Sequence, residues 1–375
     1  MASPQKLHAL TSLRFLAAAM ILFHHTRQYA GLDSGWAAGL PWDHGVSCFF
    51  VLSGFILAYV YPTLETTEDV TRFWVARLAR VWPVHACAAL VALVSVWEPQ
   101  TTPRESAAAV AAQAMLVHAW VPLQGIYFAL NPVSWSVSTE VFFYMLFPLL
   151  VLDWGRTWAW KLALSFALLA AVVAFGNVVP VPSYSAGDAG VTTQALVYIH
   201  PFARLFEFTL GMASLLLFRR LTHWRVWTPA VATAAEVSAV ALTIAWVAGQ
   251  PLLGMAWSIA GHTGAEWAAH AGSAVAFALL IPVLAVGRGA VSGALAMRPM
   301  VLLGEISYSL YLLHPLVLFI LVRRFPGALG RLGLGGGVVL WLGLAGVAWL
   351  SWACVEVPAR RLILEAWDDR AANAA

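Results

Sequence analysis

The first apolar stretch of the chain, which runs from Leu10 to about Tyr29, contains ionisable residues. Arg14 stands near the start of this stretch, and His24 and His25 stand near its far end. An ionisable side chain in a bilayer-spanning helix costs several kcal/mol unless it faces a cavity or a partner, so such residues mark candidate functional sites. An imidazole accepts and releases protons at cellular pH. The stretch therefore predicts proton-transfer chemistry within a membrane helix.

The separation of Arg14 and His25 suits a long substrate. Eleven residues at about 1.5 Å of rise per residue put the two positions roughly 16 Å apart along a helix axis. One end of a substrate can then be held near Arg14 while its reactive end reaches His25. Either of the neighbours His24 and His25 can be the residue that acts.

The composition of the chain is that of an integral membrane protein. Of its 375 residues, 61% are hydrophobic and 10% are charged, whereas soluble domains carry about 25% charged residues. The net charge of +3 is small and the basic residues cluster in short loops, so we expect no nucleic-acid partner. The 19 tryptophans suit aromatic belts at the membrane interfaces. The three cysteines have neither metal-ligand nor disulfide spacing, and we expect no metal and no permanently bound cofactor.

Apolar runs long enough to cross or nearly cross the lipid bilayer recur along the chain. A helical crossing takes about 20 residues, with a range of roughly 17–25. We predict an all-α polytopic membrane protein with about ten transmembrane helices (ten or eleven), formed by a single domain over residues 1–375. The runs are 10–29, 44–61, 82–97, 106–121, 135–152, 158–176, 200–218, 228–247, 268–286, 301–322 and 335–357.

Basic residues in the loops favour ten crossings over eleven. Cytoplasmic loops carry an excess of Lys and Arg, and eleven crossings with the N-terminus inside would leave most of the later basic loops outside. Removing one crossing between 82 and 134 makes these loops cytoplasmic, with one exception at Arg323, Arg324 and Arg331. We therefore expect a multi-pass protein of the cytoplasmic membrane with both termini in the cytoplasm.

This orientation brings ionisable residues from distant parts of the chain to one depth. The first helix runs outward, so Arg14 lies near the cytoplasmic face and His25 lies nearer the outer face. The helix that begins at Trp135 runs inward, which puts Glu140 at a depth similar to that of His25. His314 falls in the outer half as well. Convergence of this kind is typical of a buried site.

Six motifs in order resemble the membrane-bound acyltransferase family 3, a group of bacterial O-acyltransferases that act on sugars, surface polysaccharides and macrolides. The resemblance covers nearly the whole chain, and one departure is Ser47, where many members have Asp. The motifs are LRFLAAAMILFHH, with Arg14 and His25 in the family's Arg-x10-His spacing; GVSCFFVLSGFIL at 45–57; RFWVARLARVWPVH at 72–85, with Arg77 and Arg80; NPVSWSVSTEVFFYMLFPLL at 131–150; ISYSLYLLHPLVL at 306–318; and VEVPARRL at 355–362.

The resemblance implies an acyl-CoA-dependent O-acyltransferase. An acyl-CoA, usually acetyl-CoA, binds from the cytoplasmic side as co-substrate, and its acyl group passes to a hydroxyl of a carbohydrate or glycoside acceptor. The histidine that matches His25 is regarded as catalytic in the family. The arginines that match Arg14, Arg77 and Arg80 are associated with the donor.

Acyl transfer to a hydroxyl needs either a base for the hydroxyl or a nucleophile that carries the acyl group. A neutral imidazole can do both, and we predict His25 as the general base, with a transient acyl-imidazole as the alternative. Glu140 can orient the imidazole and stabilise its charged form, as a carboxylate does in a catalytic triad. Because the family pattern uses one histidine, the adjacent His24 is an open alternative.

The other motif residues have structural explanations beside the functional ones. Arg77 and Arg80 are three residues apart and share one helical face, which suits the phosphates of CoA, yet basic residues also anchor any cytoplasmic loop. Trp135, Ser136 and His314 are candidates for lining the acceptor site. Tryptophan is nevertheless ordinary at a membrane interface, and His314 precedes a proline that can kink its helix.

A transporter or channel is the alternative to an enzyme, because intramembrane Arg, His and Glu also line ion and proton paths. Transporters often contain internal repeats, and none is recognisable in this sequence. A purely structural membrane protein would leave the buried charges unexplained. The residues do not specify an oligomeric state.

Overall fold

The computed structural model describes residues 5–30, 40–95, 103–183, 190–224, 226–327, 331 and 333–374. These residues form helices joined by short connections, and no β-strand occurs among them. The prediction of an all-α protein is confirmed. A helix satisfies its backbone hydrogen bonds within one segment, which is what a bilayer requires of a chain this apolar.

The α-helices of the described chain follow one another with few intervening residues. Two π-helical turns, Ala195–Ile199 and Trp352–Glu356, lead into the helices that begin at Pro201 and Val357. The helices are α1 (His8–Ala30), α2 (Gly45–Val60), α3 (Thr67–Ser95), α4 (Pro103–Ala114), α5 (Gln124–Tyr127), α6 (Trp135–Val151), α7 (Trp154–Val178), α8 (Pro201–His223), α9 (Pro229–Ala248), α10 (Gln250–Trp257), α11 (Gly261–Ala271), α12 (Ala274–Val286), α13 (Ala290–Leu295), α14 (Arg298–Glu305), α15 (Ser307–Arg324), α16 (Gly333–Ser351) and α17 (Val357–Ala374).

Eight helical segments of the described chain are long and apolar enough to cross a membrane, or nine if the pair α14 and α15, bent by 59°, is one span. The protein is thus a multi-pass membrane protein with somewhat fewer such helices than predicted. α1 has 23 residues, but its arginines and histidines lower its hydropathy. The predicted run 106–121 overlaps the 12-residue α4, which ends at Ala114 and is followed by short turns. Residues 82–95 of the predicted run 82–97 belong to the longer α3, and 96 and 97 lie outside the described residues.

Contacts among the helices divide the chain into two compact units. Unit 1 comprises Met1–His24, Gly35–Thr63 and Leu150–Glu305. Unit 2 comprises His25–Ser34, Leu64–Leu149 and Ile306–Ala375. One boundary between the units falls within α1, between two adjacent histidines. The single domain expected over residues 1–375 stays a prediction.

In unit 1, α2 and α8 pack backbone against backbone. A Cβ atom at Gly54 would overlap the carbonyl oxygen of Phe208, and a Cβ atom at Gly211 would overlap that of Val51. Small residues allow such close approach between helices in membranes. Because α7 and α12 also pack against α8, α8 is the helix around which much of unit 1 is built.

In unit 2, side chains fix α15 to its neighbours through backbone carbonyls. The Tyr308 hydroxyl donates to the Val81 carbonyl at 2.6 Å, and Nδ2 of Asn131 donates to the Leu312 carbonyl at 2.8 Å. Both donors are buried, where an unpaired polar group would be costly. These two bonds hold α15, the helix that carries His314, against α3 and the turn before α6.

Candidate active site

The far end of α1 and the middle of α15 bring two histidines together in unit 2. Nδ1 of His25 lies 2.8 Å from Nε2 of His314. The two rings are stacked, with centroids 5.1 Å apart and an interplanar angle of 20°. His314 is buried and His25 is half-buried. Two site residues predicted from distant motifs are therefore in hydrogen-bond contact.

The second hydrogen bond of His314 sets the direction of this contact. Nδ1 of His314 lies 3.2 Å from the Leu310 carbonyl oxygen, and because a carbonyl only accepts, Nδ1 carries the hydrogen. In a neutral ring, Nε2 of His314 then has the lone pair and accepts the hydrogen on Nδ1 of His25. Neutral His25 consequently has its own lone pair on Nε2, which is the form that a general base requires.

Ser136 and Tyr311 adjoin the histidine pair. Oγ of Ser136 lies 2.8 Å from the Tyr311 hydroxyl, and the two hydroxyls lie 2.9 and 3.2 Å from the Val133 carbonyl oxygen. The centroid of the Tyr311 ring is 6.0 Å from that of His314. Trp135, the first residue of α6, is buried. The structure thus brings Ser136 close to the helix face that carries His314.

Glu140 lies on α6 and accepts a hydrogen bond from the Tyr144 hydroxyl one turn later. Arg77 and Arg80, both on α3, act electrostatically on the same hydroxyl. The structure therefore gathers three predicted site residues around Tyr144 in unit 2. The predicted support of His25 by Glu140 stays a prediction, and the partner that the structure shows for Nδ1 of His25 is a histidine.

Tyr308 and Glu356, to which the sequence analysis assigned no role, belong with the charged side chains around Tyr144. The Tyr308 hydroxyl experiences the charges of Arg80, Glu140 and Glu356. Oγ of Ser309 donates to Oε2 of Glu356 at 3.0 Å, and Glu356 is buried. A carboxylate at the end of a long apolar run is the signal by which Glu356 could have been found from the sequence.

Arg14 and His24 belong to unit 1. Arg14 is half-buried on α1, and His24 acts electrostatically on Asp43 of the same unit. Successive residues of an α-helix point about 100° apart, which explains why His24 and His25 have different surroundings. The contact with His314 distinguishes His25 from its neighbour.

Unit 1 contains half-buried ionisable residues that the sequence interpretation passed over. Nδ1 of His270 lies 2.5 Å from Oδ2 of Asp43, and Nε2 of His270 lies 3.5 Å from Oε1 of Glu266. Nδ1 of the nearby His44 lies 2.5 Å from Oγ of Ser273. These contacts tie the start of α2 to α11 and α12.

A fully buried ion pair on α8 lies in the same unit. Nη1 of Arg204 is 2.9 Å from Oε1 of Glu207, and Nη2 of Arg204 donates to Oγ of Ser47 at 3.3 Å. The guanidinium carbon is 5.1 Å from the ring centroids of both Phe50 and Tyr198. The arginine therefore has a carboxylate partner although residue 47 is serine.

Comparison with known proteins finds acyltransferases among the relatives of this chain. The family model described as Acyltransferase domain matches residues 7–356. The acyltransferase MdmB of Streptomyces mycarofaciens is 30% identical over 341 residues, which cover 87% of this chain and 82% of MdmB. The O-acetyltransferase OatA of Staphylococcus aureus is 26% identical over 340 residues, which cover 85% of this chain but only 52% of OatA. Nodulation protein 10 of Rhizobium leguminosarum bv. viciae is 26% identical over 93% of this chain and 92% of its own length. No solved structure matches the chain.

Proposed function

Because this chain belongs to acyltransferase family 3, whose domain model matches residues 7–356, we propose that it transfers an acyl group from acyl-CoA to a hydroxyl of a carbohydrate or glycoside. Acetyl-CoA is the donor that we expect. The pair of His25 and His314 carries the proposal, since its hydrogen bonds put a lone pair on Nε2 of His25. Relatives named acyltransferase and O-acetyltransferase support the reaction class.

In the proposed reaction, Nε2 of His25 takes the proton of the acceptor hydroxyl while the hydroxyl oxygen attacks the thioester carbonyl carbon. His25 becomes an imidazolium whose Nδ1–H donates to Nε2 of His314. When the tetrahedral intermediate collapses, the carbon–sulfur bond breaks and the imidazolium returns the proton to the CoA thiolate. The products are an ester and free CoA, with no net release of a proton. His314 acts through His25 and is a positioning residue.

An acyl-imidazole is the alternative course for the same pair. Nε2 of His25 would attack the thioester carbonyl directly and release CoA, and the acceptor hydroxyl would then displace the imidazole. The two courses differ in their kinetics. A covalent intermediate gives ping-pong behaviour, whereas direct transfer requires both substrates to be bound together.

We propose that the donor binds through arginines on the cytoplasmic side, with both termini in the cytoplasm. Arg77 and Arg80 share one face of α3, and planar guanidinium groups suit the phosphate oxygens of CoA. Arg14 precedes His25 by about 16 Å along α1, a separation of the order of that between the phosphates of CoA and its thioester. Glu140 is proposed to stabilise positive charge at the reacting end, as a carboxylate does in a triad.

Turnover by the purified protein tests this function. With acetyl-CoA and a panel of methyl glycosides, the wild type is expected to release free CoA and form acetylated glycoside. His25→Ala should lose at least about 100-fold of the rate, while His24→Ala, the matched neighbour, should keep it. Loss in His24→Ala with full activity in His25→Ala would reverse the assignment. Absence of both acetyl-CoA binding and CoA release in the wild type would refute the donor.

A further inference from the structure

A buried polar cluster in unit 2 contains side chains that the proposed mechanism does not use. His85 of α3, and His118 and Asn131 between α4 and α6, are each at most 1% exposed. Oγ of Ser134 lies 3.2 Å from Nε2 of His118 and 2.6 Å from the Asn131 carbonyl oxygen. Nε2 of His85 donates to the Gln113 carbonyl at 2.9 Å. The two imidazole rings are stacked, with centroids 6.0 Å apart and an interplanar angle of 7°.

Each of these three side chains has one buried polar atom without a hydrogen-bond partner in the described part of the chain, and the Ala112 backbone also acts on the His118 ring. Nδ1 of His85, Nδ1 of His118 and Oδ1 of Asn131 are buried and have no hydrogen-bond partner among the described residues. Leaving a buried polar atom unpaired is costly. Because Nε2 of His85 donates to a carbonyl, Nδ1 of a neutral His85 has a lone pair. Burial lowers the pKa of His118 to about 3, so this ring is uncharged near neutral pH.

The backbone of the same region adopts an unusual conformation at two leucines. Leu116 and Leu130 both have a φ of 57°, in the left-handed region that residues with a branched side chain rarely enter. Both are buried. Conformations of this kind persist where the surrounding structure imposes them, and they concentrate at ligand sites. The two leucines flank the stretch that contains His118.

The cluster is joined to the helix that carries the proposed positioning residue. Nδ2 of Asn131 donates to the Leu312 carbonyl at 2.8 Å, and Leu312 is two residues before His314 on α15. The Val133 carbonyl lies 2.9 Å from Oγ of Ser136, which adjoins the histidine pair. A ligand group held by Asn131 would consequently lie close to the site of proton transfer.

We propose that His85, His118 and Asn131 form a subsite for hydroxyl groups of the acceptor other than the one that is acylated. A hydroxyl both donates and accepts hydrogen bonds, so it suits two imidazole nitrogens and an amide oxygen. A sugar ring supplies several hydroxyls at fixed spacing, whereas a simple alcohol supplies one. The inference rests on the proposed function and adds to it a preference for polyhydroxylated acceptors.

The subsite can be tested with substitutions that replace one nitrogen of a histidine ring by a side-chain amide and omit the other nitrogen. Such substitutions keep one of the two contacts of the ring. The side-chain amide of Gln takes the position of Nε2 of a histidine, and that of Asn takes the position of Nδ1. His118→Gln therefore keeps the contact with Ser134 and loses the unpaired atom, and His118→Asn does the reverse. We expect His118→Gln to raise KM for a methyl glycoside roughly tenfold, the worth of one hydrogen bond, with KM for acetyl-CoA unchanged. His118→Asn should have a smaller effect.

Deoxy analogues of the best methyl glycoside show whether the contact that His118→Gln removes is a contact with a glycoside hydroxyl. In the wild type at least one deoxy analogue should bind more weakly than its parent, and this difference should vanish in His118→Gln. Saturation-transfer NMR without acetyl-CoA gives the same comparison without turnover, so a failure of the enzymatic function is distinguishable from a failure of the subsite. If His118→Gln does not fold, His85→Gln, which keeps its bond to Gln113, replaces it. Wild-type glycoside binding with an undiminished deoxy effect would mean internal water only and would overturn the proposal.

Discussion

Each unit contains a histidine whose Nδ1 contacts a second ionisable side chain, but the two partners differ in kind. In unit 2, His25 contacts another imidazole, His314, at 2.8 Å. In unit 1, His270 lies between two carboxylates, 2.5 Å from Asp43 and 3.5 Å from Glu266. An ionised carboxylate only accepts hydrogen bonds, so both nitrogens of His270 must carry hydrogens to satisfy both partners.

The partner therefore decides what a membrane histidine can do. His25 keeps a lone pair on Nε2 because its neighbour accepts only the hydrogen on Nδ1. His270, clamped by two carboxylates, has no lone pair to offer and acts as a cation that joins α11 to the start of α2. Residue type alone would allow a base at either position, and the difference lies entirely in the second side chain.

Substitution of His314 and of His270, one at a time, is the most direct test of this comparison. We expect His314→Leu to lower the rate of acyl transfer about 100-fold, since the imidazolium of His25 loses its acceptor and its orientation. His270→Leu should leave the rate per folded molecule within about threefold. Initial rates of CoA release, normalised to monodisperse protein, give the measurement. His314→Gln, whose Oε1 can accept from Nδ1 of His25, should be milder than His314→Leu. Equal losses in His314→Leu and His270→Leu would remove the distinction.

Asp43→Asn tests whether the contact between His270 and Asp43 contributes to stability and not to turnover. The substitution replaces a charge-assisted hydrogen bond by a neutral one, and the free energy of unfolding should fall by about 1–3 kcal/mol. Thermal melting in detergent measures the loss, with Asp369→Asn, an exposed position on α17, as the matched control. Turnover below the melting transition should be unchanged. An inactive but fully stable Asp43→Asn protein would contradict the structural assignment.

A third histidine, His118, has a hydroxyl as its side-chain partner, Oγ of Ser134 at 3.2 Å, and extends the comparison through pH. Burial lowers its pKa from the ordinary 6.5 to about 3, so between these values the unfolded chain binds a proton that the folded chain does not. The free energy of unfolding should therefore fall as the pH drops from 6.5 towards 3, by up to about 1.4 kcal/mol per pH unit from this group. Melting curves of the wild type and His118→Gln across this range measure the contribution. Parallel pH profiles would contradict it.

Much of the architecture follows from the sequence. Long apolar runs predict membrane helices because the bilayer leaves few other solutions for a backbone. Helix direction and rise also predict a shared depth for His25 and His314, and the two side chains are in contact. Position within the membrane plane is not predictable in this way. Charge complementarity favoured Glu140 as the residue beside His25, which stays a prediction, whereas it gave no reason to expect His314 against Nδ1 of His25.

The contacts of the charged residues in unit 1 could be predicted from the sequence only in part. Arg204 and Glu207 stand three residues apart within an apolar run, which is a recognisable signal for a buried pair. Nothing local predicts that Arg204 also reaches Ser47, or that His270 reaches Asp43, 227 residues away. Such contacts depend on which helices pack together, and apolar helix faces in a membrane specify that only weakly. Small-residue positions such as Gly54 and Gly211 carry part of the information.

The distance along the chain between Asp43 and His270 has a consequence for biosynthesis. Translation at about 5–20 residues per second separates the emergence of the two side chains by roughly 10–45 s. During this interval α2 enters the membrane with a carboxylate whose cationic partner does not yet exist, while α3 to α6 of the other unit are being inserted. We expect α2 to stay beside the insertion machinery until α11 arrives, and chains arrested before α11 to be degraded rapidly.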